Sequence, residues 1–282
     1  MRKRTKIFIF FAVLLVAVSI WTVWGNLAVT VSEYAVECES LPATFSGVRI
    51  AQISDLHNTE FGEGNVRLIN KLKSTHPDMI VLTGDIIDSY TPNVAVAIAF
   101  CEEAVKIAPT FFITGNHEAR LDAEYKDLKK AIEELGVVVL ENERITLELG
   151  GEVINLVGVQ DPIFMGAAEE EECEAAVVAE LERLTDAERF DLVLVHRPGY
   201  FKKYATTEAD LLLSGHLHGG QFRLPFVGGV YAPSQGLFPE YDSGVYTENE
   251  TTMIISRGLG NSRFPIRFNN PPEIVVVELL SK

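Results

Sequence analysis

Five short polar motifs, each set directly behind a run of β-prone apolar residues, constrain the fold more than any other feature of this chain. They are Asp55-Leu56-His57, Gly84-Asp85-Ile86-Ile87-Asp88, Gly115-Asn116-His117-Glu118, His196 alone, and Gly215-His216-Leu217-His218. Open α/β sheets gather their ligands at the carboxyl ends of strands, where loops from several strands converge. A chain that ends five strands on polar side chains is expected to bring those ends together. Only one of its six histidines, His76, falls outside the motifs, in a segment that reads as a helix-end loop at the surface. Asp55 and His57 are two residues apart, as are His216 and His218, so in extended backbone each pair points one way. Glycines before Asp85, Asn116 and His216 permit sharp turns that a Cβ would hinder.

Imidazole, carboxylate and amide oxygen together suit borderline divalent ions such as Mn, Fe, Zn or Co. Asp55, His57, Asp85, Asn116, His196, His216 and His218 are more ligands than one ion needs, and would serve two ions if one carboxylate bridged them. Cys38, Cys101 and Cys173 are scattered, with no C-x-x-C spacing, so neither a structural zinc site nor a disulfide framework is indicated. They read as small buried hydrophobes.

The pattern between the motifs alternates strands and helices. Strands are expected over 27–36, 47–53, 79–82, 110–113, 137–140, 145–149, 153–159, 191–195, 210–213, 252–256 and 274–279, and helices over 63–74, 93–107, 121–135 and 168–184. Alternation that later returns as hairpins predicts an α/β sandwich of two mixed sheets packed together and flanked by helices. The acid run from Glu169 to Glu174 reads as the solvated start of a helix. No Pro/Ser/Gly-rich linker splits the body, so residues 27–282 are expected to form one domain.

Residues 1–26 read differently. Ile7 to Trp24 is uncharged and almost wholly apolar, behind the basic start Arg2, Lys3, Arg4 and Lys6, and no acid precedes Glu33. The run is at the short end of what spans a bilayer, and the positive-inside rule places Arg2–Lys6 in the cytoplasm. A membrane-anchored chain with its body outside the cytoplasm is the expectation; a cleaved signal peptide is the rival, with a shorter apolar run than this as its usual form. Apart from those four, the chain carries 20 basic against 40 acidic residues, a balance that repels polyanions and argues against nucleic acid as a partner.

In their order and spacing the motifs D-x-H, GD-x-x-D, GNH-E, H and GH-x-H resemble the signature of the calcineurin-like metallophosphoesterases over residues 48–218. His218-Gly219-Gly220-Gln221 and Ser256-Arg257-Gly258-Leu259-Gly260 look like the membrane-anchored bacterial branch. The resemblance implies two divalent ions, manganese among the candidates. Asp55, His57 and His218 would hold one, Asn116, His196 and His216 the other, and Asp85 would bridge them. It implies that His117 assists the leaving oxygen, that Asp88 orients His117 by a hydrogen bond, and that Glu118 is not a ligand. Protein-phosphatase members carry an arginine after the second Asp, where this chain has Ser89. A phosphate clamp is therefore sought in Arg257, Arg263 and Arg267. The implied activity is a phosphodiesterase or pyrophosphatase acting on a lipid or lipid-linked, UDP-diacylglucosamine-like substrate. Cell-wall polyol phosphates, phosphomonoesters, amide or ester hydrolysis and an anchored, non-catalytic metal-binding protein are the alternatives.

Overall fold

The computed structural model describes residues 3–233, 235–261 and 264–282. Helix α1 (Lys3–Leu27) leads into β1 (Thr30–Cys38), β2 (Arg49–Ile53), α2 (Val66–Lys73), β3 (Met79–Thr83), α3 (Val94–Ala104), β4 (Thr110–Ile113), α4 (Ala123–Glu134) and β5 (Val138–Val139). The second half holds β6 (Glu143–Leu149), β7 (Glu152–Gly158), α5 (Glu170–Leu184), β8 (Asp191–Leu194), the short α6 (Phe201–Tyr204) and β9 (Leu211–Ser214). Four two-residue strands follow, β10 (Arg223–Leu224), β11 (Gly228–Gly229), β12 (Tyr231–Ala232) and β13 (Gly236–Leu237). The chain then runs through β14 (Gly244–Glu248), β15 (Thr251–Ile255) and β16 (Glu273–Ser281).

Two six-stranded sheets result, in the orders β1-β16-β2-β3-β4-β5 and β14-β15-β9-β8-β7-β6. Both are mixed: β2 to β5 run parallel, as do β15, β9, β8 and β7, while β16 opposes β2 and β6 opposes β7. Strands β3, β4, β8 and β9 are buried at every position, because each sheet is covered on both faces. Val81, Ile113 and Val277 of the first sheet pack against Leu156, Leu192 and Leu213 of the second. The outer faces are closed by α2, α3 and α4 on one side and by α5 and α6 on the other. This is the α/β sandwich of two mixed sheets that the sequence pattern predicts.

Boundaries differ where local physics overrides pattern. The first strand begins at Thr30, not at residue 27, because α1 runs on to Leu27. Helix α2 starts late, at Val66, after a 3-10 turn with Gly64 and Asn65 in left-handed conformation. The acid run does open α5: Glu169 and Glu172 form a reciprocal capping box, and three glutamates in the first turn face the positive end of the helix dipole. Strands β10 to β13 leave no periodicity to read, since each is a two-residue pairing, and the five-residue β14 (Gly244–Glu248) is a further strand that the sequence pattern does not predict.

Helix α1 contributes no buried residue to the body, and its mean hydropathy reaches 2.6. Length and apolarity would let it cross a bilayer.

Candidate metal centre

Strands β2, β3, β4, β8 and β9 all end at one edge of the sandwich, and the five motifs follow them there. The chain turns so tightly at this edge that glycine is required. A Cβ on Gly84 would lie 2.7 Å from the Cα of Gly115 and from Nδ1 of His196, and one on Gly115 would lie 2.3 Å from Oδ1 of Asp85. Asp55, His57, Asp85, His216 and His218 all have positive φ, between 45° and 71°. Left-handed backbone at a non-glycine residue costs about 1–3 kcal/mol and persists only where the surroundings enforce it. The side chains of Asp55 and His57 do converge, but through left-handed turns, not through the extended alternation expected from their spacing. The same correction applies to His216 and His218.

Two clusters of ligand atoms form. In the first, His57 Nε2 and His218 Nε2 are 3.2 Å apart, with Asp55 Oδ1 at 3.9 and 3.6 Å from them. In the second, His196 Nε2 lies 3.2 Å from both His216 Nδ1 and Asp85 Oδ2. Asp85 Oδ2 is also 3.7 Å from His57 Nε2, so this carboxylate touches both clusters. Within each cluster the ligand atoms fall within 4.8 Å of one another. Asn116 Oδ1 is buried without a hydrogen-bond partner. An uncharged polar atom left bare beside converging carboxylates and imidazole lone pairs is what a bound cation would satisfy. The residues fit two divalent ions.

The surrounding bonds fix these side chains. His196 Nδ1 is 2.8 Å from the carbonyl oxygen of Thr83, which only accepts, so Nδ1 donates there and Nε2 is the ring atom turned toward Asp85. Ser54 Oγ and the His216 N–H both donate to Asp55. The His117 N–H donates to Asp85 Oδ1 at 2.7 Å. Burial opposes ionisation of Asp85, yet His196 and the other nearby imidazoles outweigh it and hold the carboxyl well below its usual range. Burial pushes His196 down, but the carboxylate of Asp85 prevails and raises it to about 10. Burial, reinforced by neighbouring positive groups, holds His216 and His218 well below the usual imidazole range, neutral and ready to ligate.

His117 stands beside the clusters. Its Nδ1 accepts from the Ser89 N–H at 2.9 Å, with Ser89 Oγ at 3.1 Å, so the proton of the neutral ring resides on Nε2. The hydrogen bond expected from Asp88 is therefore made by Ser89. Asp88 Oδ2 lies 3.6 Å from His117 Nδ1 and 3.4 Å from His57 Nδ1, while its Oδ1 accepts the N–H groups of Tyr90 and Thr91. Burial lowers His117 to about 4.

Glu118, which pattern alone leaves without a role, is fully buried and accepts three backbone N–H groups, from Asp85, Ile87 and Gly115. It laces the turn after β3 to the turn after β4. Burial, with repulsion from Asp85, raises it to about 7.

A cleft of about 670 Å³ opens over the clusters, lined by Asp85, Asn116, His117, His216 and His218 together with Tyr90, Arg120, Tyr231 and Phe264. Of the arginines sought as a phosphate clamp, Arg257 is paired with Glu273 and Arg267 is 1% exposed. Arg267 donates to the carbonyls of Arg257 and Gly260, with Nη2 3.2 Å from His218 Nδ1. Neither lines the cleft, and Arg263 lies outside the described residues. Arg120, two residues past the GNH-E motif, lines it instead, at a position that only the 3-10 turn Glu118–Arg120 brings to the rim. His76 is exposed, as expected.

Three similarities are informative at this point. YkuE, a metallophosphoesterase of Bacillus subtilis (strain 168), is 34% identical over 258 residues, covering 89% of this chain and 85% of its own. YkoQ, a second metallophosphoesterase of that organism, is 27% identical, covering 84% of each chain. Phosphodiesterase YaeI of Escherichia coli (strain K12) is 30% identical, covering 72% of this chain and 71% of its own. The sequence profile of the calcineurin-like phosphoesterases matches residues 48–220, the segment that carries all five motifs. The chain belongs to the calcineurin-like phosphoesterase family, metal-dependent hydrolases of phosphoric esters.

Proposed function

We propose that residues 27–282 are the catalytic domain of a phosphodiesterase or pyrophosphatase, and that residues 1–26 anchor it outside the cytoplasm. Its substrate is a lipid or lipid-linked phosphoester. The observation that carries the chemistry is the sharing of Asp85 between two clusters of ligand atoms. Asp55, His57 and His218 would hold one ion, Asn116, His196 and His216 the other, and Asp85 would serve both. Bound divalent ions supply Lewis acidity toward the phosphoryl oxygens and a water of lowered pKa.

The protein's own groups do the remainder. His117, lowered to about 4, is neutral at pH 7 and offers Nε2–H as a hydrogen-bond donor to the departing oxygen. Arg120 at the rim supplies the phosphate contact that an arginine at position 89 would otherwise make. Asp88 steadies His57 from behind, and Glu118 holds the two ligand-bearing turns in register.

The lipid-linked substrate is supported by α1, none of whose residues is buried in the body. An enzyme confined to a bilayer meets substrates in that bilayer at high effective concentration. The test uses the full chain in detergent, stripped and reloaded with Mn, Zn, Fe or Co. Bis-(p-nitrophenyl) phosphate, p-nitrophenyl phosphate and a UDP-diacylglucosamine-type lipid are assayed in parallel, with Asp85→Asn as control. Metal-dependent hydrolysis of the lipid above both soluble esters is expected. Turnover of soluble monoesters alone would refute the lipid-linked substrate.

A further inference from the structure

Residues 222–238 contain one charged side chain, Arg223, in a chain of net charge −16, and those of them that are described, 222–233 and 235–238, carry the hairpins β10-β11 and β12-β13. Arg223 is itself paired with Asp242 at 3.1 Å. The hairpins turn their apolar side chains outward. Phe226 is fully exposed, Leu237 is 69% and Phe238 62% exposed, and Leu224 and Val227 accompany them. Exposed apolar side chains scattered singly need no explanation, but a contiguous set marks a surface that another phase or partner covers.

The patch is structurally continuous with α1. Phe222 and Phe268 form a bridge, and the Arg223 N–H donates to the Phe268 carbonyl at 3.0 Å, tying the first hairpin to the loop 264–268. That loop exposes Phe264 and Ile266, both about half, and Phe264 packs edge-on to Tyr231 of the second hairpin. At its far end Arg267 exchanges two hydrogen bonds of 2.8 Å with the side chain of Asn26, in the last turn of α1. Trp24 and Trp21, 57% and 52% exposed, sit on the same turns of that helix, where amphipathic rings favour the headgroup layer. The hairpins and the loop are therefore held at the level where α1 would leave the bilayer. Tyr231 and Phe264 are also walls of the cleft over the metal centre.

We propose that the hairpins 222–238 and the loop 264–268 form a second membrane contact, seated in the outer leaflet beside α1, so that the cleft opens onto the bilayer. A phosphoester carried on a lipid headgroup reaches the metal centre along the wall made by Tyr231 and Phe264 without leaving the leaflet. The inference rests on the reading of α1 as a membrane anchor. An uncharged hairpin face suits a zwitterionic surface, whereas an acidic body favours no contact of its own with anionic lipid.

Both tryptophans of the chain lie in α1, so a single reporter can be placed elsewhere. The full chain carrying Trp21→Phe, Trp24→Phe and Phe226→Trp is reconstituted in phosphatidylcholine vesicles brominated at acyl carbons 6 and 7. A second chain carries Leu149→Trp in place of Phe226→Trp. Leu149 is 44% exposed at the end of the sheet remote from the cleft. The reporter at 226 is expected to lose at least about half of its emission relative to unbrominated vesicles, and the reporter at 149 to lose none. Equal emission from the reporter at 226 in both lipids overturns the contact, as does equal quenching of the two reporters. An unquenched reporter at 226 with chemical cross-linking between chains would assign the patch to a second copy of this chain instead. Independently, Phe226→Ser with Phe238→Ser should leave hydrolysis of a soluble diester unchanged and lower turnover of the vesicle-borne lipid about tenfold. Quenching at 226 with no lipid turnover by the unaltered chain leaves the contact standing and refutes only the lipid substrate.

Discussion

From the sheet built on β2, β3 and β4 come Asp55, Asp85, Asp88 and Asn116, with His57 and His117; from the sheet built on β8 and β9 come only imidazoles, His196, His216 and His218. Each ligand cluster takes members from both. Asp55 and His57 meet His218 of the other sheet, and Asp85 meets His196 and His216. One sheet thus supplies the negative charge and the other chiefly neutral donors, since burial keeps His216 and His218 unprotonated. Neither half is a metal site alone. Ions bound here would cross-link the two sheets at the edge where five residues hold left-handed backbone.

Removing the charge that both clusters share breaks the arrangement most severely. Asp85→Asn is expected to abolish metal loading and to lower diester turnover at least about 10⁴-fold, because several kcal/mol of transition-state charge stabilisation go with the ions. Metal content measured on the purified variant checks it, and full occupancy with full activity would remove Asp85 from the site. His117→Gln comes next and separates chemistry from loading. Both ions should remain while turnover falls about 10²- to 10⁴-fold, more for poor leaving groups than for good ones. An equal loss of metal would make His117 a ligand. Chelation tests the cross-link itself. Each ion at about 100 times its dissociation constant stabilises the folded chain by about 2.7 kcal/mol, so stripping both should lower the melting temperature by about 10–20 °C. An unchanged transition would mean that the two sheets are not joined through metal.

The polar half of this architecture was legible in the sequence because each ligand follows a strand, and strand ends are readable from apolar runs. His196 is the clearest case: alone in its motif, it is found only by its place behind β8. What the sequence hid depends on contacts rather than spacing. Glu118 belongs to the GNH-E motif, but its three backbone partners come from turns some 30 residues apart in the chain. Arg120 reaches the cleft only because a 3-10 turn carries it there, whereas Arg267 is drawn inward by backbone carbonyls. The hairpins 222–238 combine glycine, proline and aromatic residues with no period, so their apolar surface emerges only when the chain is folded.

The smallest expected effect compares the two ends of one sheet. At the carboxyl ends of β8 and β9, titratable groups face one another with opposite tendencies; at the amino ends, the buried Asp191 lies beside the half-buried Asp210 with no basic partner in contact among the described residues. Asp191 accepts the N–H of Asp186, and its own N–H donates to Asp210. Burial, with Asp186 and Asp210 adding repulsion, pushes Asp191 up to about 6 from an ordinary 3.8. The folded chain then holds a proton that the unfolded chain releases. Stability from this group is complete below about pH 3.8 and is lost as the pH rises through about 6. At about 1.4 kcal/mol per pH unit, discounted for solvent screening, the loss is on the order of 1–2 kcal/mol. Asp191→Asn keeps an acceptor for Asp186 and removes the titration. Its melting temperature relative to the unaltered chain should therefore rise between pH 4 and pH 7, by about 3–6 °C. Because the ligands of the metal centre also titrate, both proteins are scanned with and without chelator, and the difference should survive chelation. A difference that is flat with pH would mean that Asp191 ionises in the folded chain as it does in water. The amino end of the sheet would then be as well compensated in charge as the carboxyl end.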